Sequence, residues 1–175
     1  MQPSHPPPAT PEQLFAFLER LGIATTTVNH PALFSVEQSR ALRGEIPGGH
    51  TKNLFLVDRK DRLFLVAASE DATIELKHLH RLIGASDRLS FGKADVLRAA
   101  LGVEPGSVTP FAVMNDREHR VTVVLDEAML ADDVLNFHPL TNTRTTRIAS
   151  ADLLRFLEAT GHKPQILAIS IPATK

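Results

Sequence analysis

The chain has 175 residues, of which 19 are basic and 20 acidic, with 43% hydrophobic residues and no cysteine. That length and apolar content suit one soluble domain with its own core, and the lack of cysteine excludes disulfides, thiolate nucleophiles and Cys-based zinc sites together. A net charge of −1 and the absence of Trp and Tyr argue against broad phosphate gripping and against an extended stacking platform, so any nucleic-acid contact should be local and short.

Residues 1–9 are proline-rich and read as a disordered tail, without the basic and apolar stretches of a secretory signal. No apolar run reaches the length of a bilayer crossing, so a cytoplasmic protein with no membrane partner is expected. Thr10-Pro11-Glu12-Gln13 opens a helix with a capping box, Leu14, Phe15, Phe17, Leu18 and Leu21 supply its apolar face, and Gly22 stops it. Ala24 to Val28 reads as a strand ended by His30-Pro31. Ser35-Val36-Glu37-Gln38 reads as a second capping box opening a short helix to Leu42, and Gly44 to Gly49 as a flexible loop.

His50 to Asp58 reads as a strand, with Lys52, Leu54 and Leu56 on one face and Asn53, Phe55 and Val57 on the other. Both faces are apolar beyond Asn53, which predicts a central strand covered on both sides. A lysine at its start either snorkels to water from a frayed end or stands at the rim of a cavity, facing an anionic ligand. Arg59-Lys60-Asp61 reads as a hairpin turn into a strand from Arg62 to Ser69. Next come a helix from Glu75 to Ile83 closed by Gly84, a short strand at Arg88 to Phe91, and a helix from Lys93 to Leu101 closed by Gly102. Gly106-Ser107-Val108-Thr109-Pro110 reads as a loop before a strand from Phe111 to Met114. Further strands are expected at Val121 to Leu125, Leu135 to Pro139, Thr145 to Ile148 and Gln165 to Ile169, with a helix capped by Ser150 running to Ala159.

Several strand-to-strand connections are too short for a crossover helix, which excludes a purely parallel doubly wound sheet. The expectation is α+β: one domain over residues 10–170, with a mixed, curved, barrel-like sheet wrapped by helices. Familiar catalytic motifs are absent. The serine of Gly106–Pro110 is second rather than central, and there is no phosphate loop, no G-x-G-x-x-G and no H-E-x-x-H. His78 and His80 point to different sides of a helix, and Asp132-Asp133 reads as a solvated pair, so no metal site is expected. His138 could be a ligand, a base or a structural histidine. What remains is chemistry by positioning: backbone donors, one cation and a shaped cavity.

Gly48-Gly49-His50 leading into Thr51-Lys52-Asn53-Leu54-Phe55-Leu56 resembles the lysine-bearing strand of the YbaK-like aminoacyl-tRNA deacylases, the superfamily that includes the editing insertion domain of bacterial prolyl-tRNA synthetase. Gly106 to Pro110 resembles its G-x-x-x-P loop, and Phe137-His138-Pro139-Leu140 with Asn142, Thr143, Thr145 and Thr146 resembles its C-terminal histidine segment. Order and spacing agree from Thr10 to Ile169, and the wording is most similar to free-standing prolyl-tRNA editing proteins. The resemblance implies hydrolysis in trans of the ester of mischarged Ala-tRNA(Pro), without a cofactor. It implies the aminoacylated tRNA(Pro) 3′ end and acceptor stem as partner, with prolyl-tRNA synthetase as a further one. Lys52, Gly106 and His138 would be catalytic. Thr51, Asn53, Ser107, Val108, Thr109, Pro110 and Met114 would bind substrate. Lys52 would meet the terminal phosphate or ribose, the Gly106–Pro110 amides the developing oxyanion, and His138 the amino acid or ribose. A deacylase for Cys-tRNA(Pro) or another small residue, and a non-catalytic aminoacyl-tRNA-binding module, remain open.

Overall fold

The computed structural model describes residues 6–32 and 46–171. The expected capping box at Ser35 and its helix to Leu42 lie outside the described residues, as does the start of the Gly44–Gly49 loop. Helix α1 (Pro11–Arg20) begins as expected: Thr10 Oγ1 accepts from the Gln13 amide at 3.2 Å, and the Thr10 amide donates to Gln13 Oε1 at 2.8 Å. Its Leu14 and Leu18 are buried. Just before it, the Ala9 amide donates to Asn115 Oδ1 at 2.9 Å, which ties the chain to the body one residue ahead of the helix cap.

Strands β1 (Thr25–Asn29), β2 (Gly49–Val57) and β3 (Leu63–Ser69) follow, then α2 (Leu76–Ile83), β4 (Ser90–Phe91) and α3 (Ala94–Leu101). After two 3₁₀ turns come β5 (Val121–Asp126), β6 (Val134–Phe137), β7 (Arg144–Ala149), α4 (Ser150–Ala159) and β8 (Gln165–Leu167). The strands form one mixed sheet in the order β1-β7-β6-β2-β3-β5-β8, with β4 also on β2. β2 and β3 are an antiparallel hairpin, whereas β2–β6, β3–β5 and β5–β8 are parallel. The expected α+β mixed sheet is therefore present, but it is open: the described strands leave β1 and β8 as edges. Among the described residues no helix is long and apolar enough to cross a membrane.

Alternation along β2 sorts the core into two layers. Phe55 joins a large cluster with α1, α3, α4, Phe111 and Phe137, while Leu56 joins a smaller one with Phe64, Val66, Val124, Ile169 and the buried Leu79 and Ile83 of α2. The hairpin turn holds through Asp58, which accepts from the Lys60, Arg62 and Ser86 amides at 2.9 Å each and from Arg62 Nε at 2.8 Å. Burial pushes its carboxyl up, but these bonds outweigh that and hold it below the ordinary range.

Three sequence expectations need correction. Phe111 to Met114 is no strand. Pro110–Asn115 is a 3₁₀ helix, with Pro110 in its first turn and Thr109 Oγ1 accepting from the Phe111 amide at 3.3 Å. Phe111, Ala112 and Val113 are buried, and a short continuous apolar run does not distinguish a strand from a buried helical turn. Ser150 does not cap α4: Ala149 holds that position, and Ser150 bonds through its amide and hydroxyl to the Asp133 carbonyl at 2.9 and 3.3 Å. The last strand stops at Leu167, because the Ile169 amide turns to Asp126 Oδ1.

Candidate functional site at a break in the sheet

β2 has β3 along one edge for its whole paired length, but its other edge is shared. β6 pairs with Gly49 and His50, β4 pairs with Leu56 and Val57, and Gly92 donates to the Phe55 carbonyl at 2.9 Å. Between them, Thr51 to Leu54 has no strand neighbour among the described residues. Phe55 turns its carbonyl to this edge, so by alternation Asn53 presents its peptide groups to the same break. Thr51 closes one end, its hydroxyl donating to the Asn136 carbonyl at 2.7 Å.

The register of β2 on β6 pairs Gly49 with Leu135 and His50 with Asn136, and the same offset brings Lys52 level with His138 where the strands part. Leu135 and Phe137 face the large core, so His138 leaves on the face that also carries Lys52, Leu54 and Leu56. Pairing with β3 is unbroken from Thr51 to Val57, so Asn53 does face away from Lys52. Its Nδ2 lies 3.5 Å from Thr51 Oγ1, and its Oδ1 is buried without a partner among the described residues. Lys52 is half-buried, with its ammonium donating to the Ala72 carbonyl in the turn after β3.

His138 Nδ1 lies 3.1 Å from the Arg144 carbonyl, which can only accept. Nδ1 therefore carries the proton, and in the neutral ring Nε2 keeps a free lone pair. Burial lowers the His138 pKa most. The Arg144 carbonyl opposes that shift and the nearby His30 adds to it, leaving a net fall that favours the neutral imidazole. His30 comes from the end of β1, with its ring centroid 6.3 Å from that of His138 and its Nε2 2.7 Å from Thr145 Oγ1. Sequence reading treated His30 only as a strand end. A second His-Pro pair in the chain is the one signal that could have drawn attention to it.

The Gly106–Pro110 segment folds as a 3₁₀ turn, Pro105–Ser107, followed by two extended residues. Gly106 is exposed, Ser107, Thr109 and Pro110 are buried, and Val108 is half-buried against the large core. The Ser107 amide bonds to the Glu104 carbonyl, but the Val108 and Thr109 amides have no backbone acceptor among the described residues. Phe111, next after the loop, meets Phe137, next before His138, edge to face at 5.9 Å. Phe111 and Phe137 thus bring the loop against the large-core side of the histidine segment, whereas Lys52 and His138 lie on the opposite face of the sheet. Met114 is half-buried against the large core.

A cleft of about 620 Å³ opens at the start of β2, lined by Pro47, Gly48, Gly49, Asp132, Asp133, Val134 and Arg147. None of the expected site residues lines it. Between cleft and break stands Asn136, which sequence reading missed as a polar residue inside an apolar strand. Its Nδ2 donates to the Pro47 and Gly49 carbonyls at 3.1 and 3.2 Å. Among the described residues no group of three or more His, Asp or Glu could hold a metal ion.

Comparison with known proteins adds a family. The model of the aminoacyl-tRNA editing domain matches residues 30–156. The "Prolyl-tRNA synthetase associated domain-containing protein 1" of Danio rerio is 42% identical over 159 residues, covering 90% of this chain and 86% of that protein. The "Prolyl-tRNA editing protein ProX" of Acetoanaerobium sticklandii is 34% identical, covering 86% of this chain and 92% of its own length. A crystal structure of a candidate trans-editing enzyme for prolyl tRNA synthetase shares the fold, with a TM-score of 0.67 at 22% identity over 91% of this chain and 97% of that one.

Proposed function

Since the chain belongs to the aminoacyl-tRNA editing domain family, we propose that residues 10–170 form a trans-acting deacylase that hydrolyses the ester of mischarged tRNA(Pro), with alanine as the amino acid removed. The observation that carries this reading is the level placement of Lys52 and a neutral His138 at a break in the sheet, joined through Phe137 and Phe111 to a loop with free backbone donors. Action in trans is supported by the ProX relative, a separate protein matched over nearly its whole length.

In the reaction, water adds to the ester carbonyl, the bond to the ribose oxygen breaks, and a proton passes to that oxygen, releasing the free amino acid and intact tRNA. Lys52 holds the terminal phosphate or ribose. The Val108 and Thr109 amides suit a developing oxyanion, with exposed Gly106 leaving room for close approach. His138 Nε2 accepts from the ribose or the ammonium of the amino acid. The 2′-hydroxyl of the terminal adenosine assists the proton transfer. Thr51, Asn53, Ser107 and Pro110 brace these groups.

Selectivity rests on size. A synthetic pocket made for proline gains only about 1–3 kcal/mol per methylene against alanine, which is too little for fidelity. A small second pocket admits alanine and rejects the pyrrolidine ring, because overpacking costs about 1–3 kcal/mol. Of Leu54, Leu56 and Met114, Leu56 is packed in the core, which leaves the half-buried Leu54 and Met114 as the candidate walls. The test is discharge of Ala-, Cys- and Pro-tRNA(Pro), in single turnover with excess protein and in multiple turnover with substoichiometric protein. Fast loss of alanine alone supports the reading, a preference for cysteine reassigns the substrate, and binding without turnover identifies a non-catalytic module. Prolyl-tRNA synthetase is the partner that would present the mischarged tRNA.

A further inference from the structure

The strand β4 is short, yet it closes one end of the break in the sheet. Its antiparallel register on β2 sets Phe91 directly opposite Leu56 and Ser90 opposite Val57. Residues directly opposite in a ladder carry their side chains on the same face. Leu56 faces the smaller core cluster, and Leu89, two residues before Phe91, packs against that cluster too. Gly92 lies on the other face, where an added methyl group would meet the Phe55 ring. The Phe91 side chain therefore stands on the face that carries Lys52, Leu54 and His138.

That face is covered only in part. Leu79 and Ile83 of α2 pack with the fully buried Leu56, whereas Phe91 stays 61% exposed. Single exposed apolar residues are ordinary, so exposure alone says little. Chemistry and position say more. Of the described phenylalanines only Phe91 is exposed, and it has no ring or guanidinium partner among the described residues. The other exposed large apolar side chains among those described, Val28, Leu82, Ile166 and Ile171, are all aliphatic. Lys52 and His138 stand at one end of the break and Phe91 at the other. Leu56 is four residues beyond Lys52, about 13 Å along the strand at about 3.3 Å per residue. One nucleotide with its base extended bridges that span, its phosphate toward Lys52 and its base toward the ring.

We propose that the Phe91 ring is the platform on which the adenine base at the tRNA 3′ end stacks. The inference rests on the reading of the break as the deacylation site. Every base presents a π face, so an exposed phenylalanine can hold one without hydrogen bonds. The chain has no Trp or Tyr and a net charge of −1, and one aromatic contact beside one cation is the local grip such a composition allows. With the base on one bank and the phosphate at Lys52, the ribose between them lays its ester over the break. Phe91 touches the substrate but takes no part in bond-making, so its loss should weaken binding more than it slows chemistry.

The test is single-turnover discharge of Ala-tRNA(Pro) by the full chain over a range of protein concentrations. Phe91→Ala should raise the half-saturating concentration about tenfold and change the limiting rate much less. Phe91→Leu, apolar but without a ring, should behave like Phe91→Ala, and Phe91→Trp should bind as wild type or tighter. The ring is exposed in the free chain, so thermal melts of all three should match wild type. The chain has no native tryptophan, so Phe91→Trp also supplies a single fluorophore. Its emission should be quenched by a tRNA(Pro) holding alanine through a stable amide, and not by the same tRNA lacking its terminal base. Wild-type half-saturation in Phe91→Ala or Phe91→Leu overturns the proposal, as does equal quenching by the two tRNAs. A free chain that sediments as a dimer and is split by Phe91→Ala would give the ring to a second copy and overturn it too. If Lys52→Ala is inactive while Phe91→Ala matches wild type, this inference fails and the deacylase reading stands. If the wild type discharges nothing, the deacylase reading fails, and the quenching by the amide-linked tRNA still decides whether the base stacks on this bank.

Discussion

Asn136→Ala should separate activity from stability. Asn136 gives two hydrogen bonds to the segment entering β2, at 3.1 Å to the Pro47 carbonyl and 3.2 Å to the Gly49 carbonyl, and both are long for their kind. At about 0.5–1 kcal/mol each their loss costs about 1–2 kcal/mol. The same substitution removes Asn136 Oδ1, a buried acceptor with no partner among the described residues, whose removal returns about 1 kcal/mol. The net change is about 0–1 kcal/mol, or a fall in Tm of about 0–4 °C for a chain of this size. Activity should respond far more. The two carbonyls lie only a few residues before Thr51 and Lys52, and a shift of about 1 Å in reacting groups costs up to about a hundredfold. The assay is single-turnover discharge of Ala-tRNA(Pro) beside a thermal melt. A variant with wild-type discharge would refute the idea that the entry to β2 is held for function, and a loss of activity matched by gross unfolding would refute the bookkeeping.

Asp116→Ala should do the opposite. It leaves His162 Nε2, 2.8 Å from Asp116 Oδ2, and the Arg120 and Val121 amides without their acceptor in a buried site, at a cost of about 3–5 kcal/mol in denaturant unfolding, while the rate per folded molecule is retained. The folded His138 pKa lies below its unfolded value, so the unfolded chain binds more protons in that window, and stability should fall as pH drops from about 6.5 through the folded value. Deacylation that needs a neutral His138 should therefore be flat near neutrality and decline on the acid side, and a rate that rises in acid would contradict the role given to Nε2. Exhaustive chelation should leave deacylation unchanged, and a loss restored by zinc alone would show that a metal takes part.

Much of the frame was legible because local signals agreed with tertiary demands. Thr10 and Gln13 formed their capping box, and the alternation of β2 survived because its ladder with β3 has no bulge. Phe111 to Val113 was misread because a run that is buried throughout carries no period. The site was legible only in pieces. Lys52, the Gly106 loop and His138 lie far apart in the chain, and only strand register says which face each occupies. His30 offered only its His-Pro pair and Asn136 only its polarity within an apolar strand, since their roles depend on neighbours about 90 to over 100 residues away.

The break along β2 has two banks of different origin. One is the end of β6 and the turn that bears His138. The other is β4, seated through Gly92, where even a methyl group would lie 2.3 Å from the Phe55 ring. Neither bank belongs to the hairpin that carries Lys52. A change in the β6–β7 turn, or in the segment between α2 and α3, can therefore widen or narrow the opening while the lysine strand keeps its sequence and register. Chains of this fold can thus differ in the width of the opening by moving one bank while its bed stays put.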